Sequence, residues 1–289
     1  MIDKSTAPTL WRGFAGRSTG TLHPFAAGRN RARCRGLPAA ALALLALLAT
    51  SGARTASAQE EGWVVERFAA VIDVGADATL RVTEAIDVDF QDLERHGIYR
   101  EIPVAYEFDE TRERNLEIDG VAVVDGAGDE VDVEASREGG NLRLRIGDPN
   151  RTVTGRQSYR IDYVVRGALN SFDDHEELYW NVTGNEWQVP VLQASAQVGV
   201  PGDALTRIAC YEGPRGSSEP CRMEQTSGSE ARFTSTAPLP TGSGLTVVVG
   251  MAKGSIQVPP PMLARKPRTP EQFFETGPVA LLGSLATLL

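Results

Sequence analysis

Along most of the chain apolar residues recur at every second position rather than every third or fourth. Leu80, Val82, Ile86, Val88 and Phe90 alternate with Thr79, Arg81, Thr83, Asp87 and Asp89, the period of a strand with one buried face. The stretch Val65 to Val74 precedes it across Gly75-Ala76-Asp77-Ala78, so the two segments predict a hairpin. Short β-branched runs predict further strands near 116–124, 130–135, 141–146 and 157–166, then 177–183, 187–200, 205–211, 230–236 and 244–251. Within 157–166, Tyr159, Ile161, Tyr163 and Val165 share one face. No long segment of helical period lies between the two ends. Many short strands separated by turn residues predict an all-β fold, an antiparallel β-sandwich. About 200 residues is large for one sandwich of roughly 100. The pattern therefore predicts two packed immunoglobulin-like lobes, 59–168 and 169–258, meeting near Gly167 to Ser171.

The ends differ from this middle. Residues 1–58 hold eight basic residues and one acid, Asp3, whereas the whole chain carries a net charge of -9. Arg29, Arg31, Arg33 and Arg35 stand just before an apolar run from Leu37 to Leu48, and Ala56-Ser57-Ala58 follows. A basic region, a short apolar region and an A-x-A site predict a secretory signal peptide over 1–58. The apolar run is well short of the roughly 20 residues that span a bilayer. At the other end, 259–276 is rich in Pro and charge and predicts a stiff linker. Residues 277–289 are uncharged and rich in Leu and Ala, which predicts the start of a transmembrane helix; the rival reading is a short packing helix. The expected location is the cell membrane, with the β-rich part on the extracytoplasmic side. Net acidity disfavours a nucleic-acid partner.

Within the β-rich part, Cys210 and Cys221 flank a turn-rich loop, Gly213-Pro214-Arg215-Gly216-Ser217-Ser218. In an oxidising compartment they predict a disulfide. Trp180 and Trp187 could form a sugar-stacking platform. A two-residue turn at Gly184-Asn185, however, would set Trp180 opposite Val189 and Val182 opposite Trp187 on one face, leaving Tyr179, Asn181, Thr183, Glu186 and Gln188 on the other. That arrangement favours core packing for both tryptophans. Asn181-Val182-Thr183 fits a glycosylation sequon inside a predicted strand.

Two segments together carry a resemblance. Thr83-Glu84 is followed by His96-Gly97-Ile98-Tyr99-Arg100-Glu101-Ile102-Pro103, and later by Glu177-Leu178-Tyr179-Trp180-Asn181-Val182-Thr183-Gly184-Asn185-Glu186-Trp187, with Tyr159 to Tyr163 between. Over about residues 62–260 the chain resembles the bacterial predicted-membrane-protein family named domain of unknown function 2207. The resemblance implies a signal peptide, an extracytoplasmic β-rich domain and transmembrane helices after it. It implies no activity. The residues add one expectation of their own. Glu84 falls in phase with Leu80, Val82, Ile86 and Val88, so it points into the core, where a carboxylate needs a partner. Arg100 is the candidate, as a structural ion pair that pins its segment onto the first sheet.

Motifs that carry chemistry are few. There is no HExxH, GxSxG, P-loop, SxxK or EF-hand spacing, and no cofactor is expected. Asp173-Asp174-His175-Glu176-Glu177 could hold a hard cation, but such a run more often forms a solvated turn. Asp125, Asp129, Glu130 and Asp132 read the same way. The expected role is binding or assembly in the cell envelope, with an envelope protein or polymer as partner and the membrane as anchor. Two rivals stand beside it. One is a cell-envelope glycoside hydrolase with paired carboxylates. The other is a secreted soluble module for carbohydrate or Ca²⁺.

Overall fold

Eighteen strands and no helix make up the part of the chain that the computed structural model describes, residues 62–266. The predicted signal peptide (1–58) and the predicted membrane helix (277–289) lie outside the described residues. Among the described residues, no helix is long and apolar enough to cross a membrane.

The chain opens with the predicted hairpin, β1 (Val64–Val74) and β2 (Leu80–Asp89). Both strands alternate cleanly: Phe68, Ala70, Ile72 and Val74 of β1, and Leu80, Val82, Ile86 and Val88 of β2, are buried. Next come β3 (Ile98–Pro103), β4 (Ala105–Glu107), β5 (Arg112–Asn115), β6 (Glu117–Asp125), β7 (Val133–Glu138), β8 (Asn141–Ile146) and β9 (Arg156–Arg166). The second half holds β10 (Leu169–Ser171), β11 (His175–Asn181), β12 (Ala194–Gly199), β13 (Leu205–Pro214) and β14 (Glu219–Pro220). It closes with β15 (Arg222–Gln225), β16 (Glu230–Thr234), β17 (Ser243–Ala252) and β18 (Met262–Arg265).

These strands form four sheets. The largest runs β15-β16-β12-β1-β2-β9-β6, the second β10-β11-β17-β13-β14. Two three-stranded sheets, β18-β5-β4 and β3-β8-β7, complete the set. The inward faces of the two larger sheets feed one hydrophobic core, with Phe68, Ile86, Ile161 and Phe233 from the first and Leu178, Trp180, Val247 and Val249 from the second. Solvent faces carry cross-strand polar pairs: Thr83 Oγ1 donates to Asp162 at 2.6 Å, and Arg67 meets Asp87 at 2.7 Å.

Three expectations need correction. Pairing is not antiparallel throughout, because β1 and β12 lie parallel, with Phe68 opposite Ala194. No strand covers 187–193: Pro190 has no N–H to give a ladder, and Val191 pairs as a single bridge on each side, with Val65 and with Leu239. The predicted hairpin at Gly184-Asn185 does not form either. Both edges of β11 are already taken, by β10 and β17. Two further features stand out against the sequence pattern. The seven-stranded sheet draws strands from both sides of residue 168. Within the Pro-rich stretch, 262–265 is strand β18, paired with β5.

Candidate functional site

Glu84 sits at an inward position of β2 and Arg100 at an inward position of β3, and they are 0% and 1% exposed. The guanidinium grips the carboxylate with two parallel bonds, Nε to Oε2 at 2.8 Å and Nη2 to Oε1 at 2.8 Å. Its other three N–H groups reach backbone carbonyls: Nη2 donates to Val182 O at 2.8 Å, and Nη1 to Thr183 O at 2.9 Å and to Glu101 O. All five donors of the fork are used. From β9, the Tyr163 hydroxyl donates to Glu84 Oε1 at 2.6 Å. The Phe68 ring lies 5.1 Å from the guanidinium carbon. Arg100 thus ties the seven-stranded sheet to the loop that follows β11.

The electrostatics follow from the burial. Desolvation works against the charge on Arg100, but Glu84's charge and hydrogen bonds outweigh it and hold the guanidinium above its ordinary range. Burial, and then the adjacent Glu84 charge, push the Tyr163 phenol well above the usual tyrosine value. Tyr163 therefore keeps its proton and stands as a donor to Glu84.

Trp187 joins from the loop side, donating its Nε1–H to Thr183 O at 2.9 Å and meeting Phe68 edge-on at 6.3 Å. Both Trp180 and Trp187 are buried. Thr183, placed on the solvent face by the sequence pattern, is fully buried, and its Oγ1 accepts from Leu245 N at 2.9 Å. Gly184 sits at φ +75°, and a Cβ there would stand 2.9 Å from Glu101 O. Only glycine lets this loop press so closely on β3. The sequon residue Asn181 spends its side chain inside the same loop, accepting from Gly184 N and donating to Asn185.

Above this network lies an open cleft of about 550 Å³, lined by Trp63, His96, Tyr99, Arg143, Arg145, Trp187 and neighbouring residues. Its floor is the outer face of β3 and β8. Arg143 covers one face of the Tyr99 ring at 4.2 Å and pairs with Glu138 at 2.7 Å. Arg145 pairs with Glu134 at 2.6 Å, and His96 Nδ1 lies 3.1 Å from Arg151 O. At one end Gly97 and Gly147 cross so tightly that a Cβ on Gly97 would fall 1.9 Å from Ile146 O.

The other sequence candidates fall elsewhere. Cys210 and Cys221 form a disulfide, Cα to Cα 5.5 Å, that closes the β13–β14 turn. The acidic run 173–177 is split by the alternation of β11. Glu176 points inward to Lys253 at 3.2 Å, while Asp174 holds His175 Nδ1 at 2.6 Å. Asp125 accepts from Ala127 N and Asp129 N, closing its own turn. Among the described residues, no group of three or more His, Cys, Asp or Glu is placed to hold a metal ion. The sequence pattern names neither Tyr163 as a donor to Glu84 nor the Val182 and Thr183 carbonyls as acceptors for Arg100. For Tyr163 a signal existed, because it shares the inward face of β9 with Ile161, which pairs with Glu84.

Fold and site together define an all-β, disulfide-bearing domain in which two distant sequence segments, 96–103 and 182–187, meet across one buried arginine. Residues 64–251 match the family described as Predicted membrane protein (DUF2207) N-terminal domain, and the chain belongs to that family. No curated protein matches the chain. Among solved structures, yeast leukotriene A4 hydrolase in complex with bestatin is similar at 10% identity and a TM-score of 0.44, over 71% of this chain and 32% of that one. An M1 zinc metallopeptidase from Deinococcus radiodurans is similar at 14% identity and a TM-score of 0.39, over 64% of this chain and 42% of that one. The chain spans about a third of the first protein's length and under half of the second's. Likenesses at these scores carry no argument about activity.

Proposed function

We propose that the described domain is the extracytoplasmic part of a bacterial membrane-anchored protein, and that it acts by binding or assembly in the cell envelope rather than by catalysis. The observation that carries this reading is membership of a predicted-membrane-protein family through its N-terminal domain. Two features support the outward side. The Cys210–Cys221 disulfide belongs to an oxidising compartment, and the leader 1–58 has the basic, apolar and small-residue order of a signal peptide. The anchor would be the apolar run 277–289. A β-sandwich reading is supported by the shared core of the two larger sheets; immunoglobulin-like lobes would have to share the seven-stranded sheet between them.

The test is fractionation of the natural protein, with protease added to intact spheroplasts. The expected result is membrane association with loss of the β-rich domain to external protease. A chain found in the soluble fraction, or protected from protease, overturns the reading.

A further inference from the structure

The chain leaves the described domain at an exposed apolar tip. Lys266, the last described residue, donates its backbone N–H to Thr111 O at 2.9 Å, so β18 ends beside the β4–β5 turn. Residues directly opposite one another in neighbouring strands share a face. Leu263 pairs with Arg114, Arg114 with Tyr106, and Arg265 with Arg112. The Arg112 guanidinium stands 5.2 Å over the Phe108 ring. One face of this small sheet therefore carries Tyr106, Phe108, Arg112, Arg114, Leu263 and Arg265. The other carries Glu107, Glu113 and Ala264, and there Lys266 pairs with Glu107.

The inner half of the first face is covered. Arg114 donates to Gly167 O, Leu169 O and the Asn170 side chain, and Tyr106 donates to Pro103 O. The outer half is open. Phe108 and Leu263 are 45% and 37% exposed, and among the described residues the Arg265 side chain bonds to nothing. Net charge does not distinguish the patch, because Asp109 matches Arg112 at 2.6 Å and Glu110 of the turn offsets Arg265. Apolar groups and position do. The uncharged run begins at Gly277, and the eleven residues from Lys266 to that point span at most about 40 Å. With that run in a bilayer, lipid is always within reach of the tip.

We propose that this tip docks on the phospholipid surface beside the anchor, with Phe108 and Leu263 seated among the headgroups and Arg265 hydrogen-bonded to their phosphates. Exposed apolar groups rimmed by polar ones mark such contacts, and a guanidinium matches phosphate geometry. The short tether makes docking intramolecular, so a small patch suffices. The inference rests on the membrane-anchored reading above. It adds a contact surface and an orientation, with β4, β5 and β18 turned to the bilayer.

The test uses the full chain in phosphatidylcholine nanodiscs whose acyl chains are brominated near the headgroup, read by tryptophan emission against the parent chain. Phe108→Trp puts the reporter on the tip. Met223→Trp is the control, at a 45% exposed position on β15. β15 lies six strand spacings, about 29 Å, from β6, and β6 follows β5 directly. A side chain seated about 5–10 Å into the interface is expected to lose roughly half its emission to bromine, and the control to keep its own. Arg265→Glu in the Phe108→Trp background is expected to relieve the quenching about twofold, with an unchanged far-UV spectrum. A tip reporter untouched by bromine, equal quenching of tip and control, or indifference to Arg265→Glu each overturns the proposal. A chain that enters the discs with an unquenched tip sinks this inference alone; one that fails to enter them sinks the anchored reading with it.

Discussion

Arg100 spends five donors on one carboxylate and three carbonyls, none of them in contact with water. Buried ion pairs can often be exchanged for apolar residues at little cost, whereas removing one partner costs about 3–5 kcal/mol. The first route is blocked in this protein. Glu84→Met with Arg100→Met would strand the Val182 carbonyl and the Tyr163 hydroxyl, each at about 1–3 kcal/mol, while the Thr183 carbonyl keeps only its bond from Trp187. Glu84→Gln should therefore lower stability by at least about 3 kcal/mol, and the double apolar variant by at least about 2 kcal/mol, in urea unfolding. A double variant as stable as the parent would refute the assignment. Base should weaken the fold too. Tyr159 is pushed up to about 12 by burial and then Asp125, and Tyr163 stands well above 10. Above pH 10 the unfolded chain loses these protons while the folded chain keeps them. Stability is thus complete below pH 10 and falls as pH rises through 10 to 12, by about 1.4 kcal/mol per pH unit per tyrosine. Urea midpoints at pH 9, 10 and 11 read the slope, and a flat series contradicts it.

At the scale of elements, the crossing of β3 and β8 sets the strictest demand on the sequence. Gly97 and Gly128 both have positive φ, +133° and +92°, but only Gly97 has backbone where a Cβ would go. Gly128→Ala meets open space and should cost about 1–2 kcal/mol, the penalty of a left-handed conformation. Gly97→Ala must also move the Ile146 carbonyl, so its loss should be at least about 2 kcal/mol larger. Thermal melts of the two variants compare them directly. The same elements show where sequence reading succeeds. β1, β2 and β9 are legible because each has a polar outer face and an apolar inner one, and Glu84 announces itself by breaking the inner pattern. β3 is harder, since Arg100 occupies a core position and Tyr99 and Glu101 flank it. The loop 182–191 misleads in the opposite way. Its tryptophans and valines alternate like a strand, but bonds accepted by the Thr183 and Asn181 side chains and one donated by Trp187 hold it instead. Nothing in a one-dimensional pattern marks such bonds, nor the shared edge of β1 and β12.

At the scale of the molecule, the seven-stranded sheet decides what can fold alone. Its row β15-β16-β12 comes from beyond residue 168, and β1-β2-β9-β6 from before it. A fragment of residues 59–168 would leave β1 with a bare edge and Phe68 without Trp187. It should show no cooperative melt and poor dispersion of amide resonances. A sharp melt would instead mark residue 168 as a true domain boundary.

The parallel pairing of β1 with β12 also has a consequence in time. Phe68 waits for Ala194, 126 residues further along. At roughly 5–20 residues per second, synthesis takes on the order of ten seconds to supply that partner. During the interval β1 and β2 can form their hairpin, but one long edge stays open, as adhesive as any exposed strand. The nascent chain therefore depends on being kept apart from its own copies until its second half arrives. Slow translation or a stalled chain lengthens the interval in which that edge stays open.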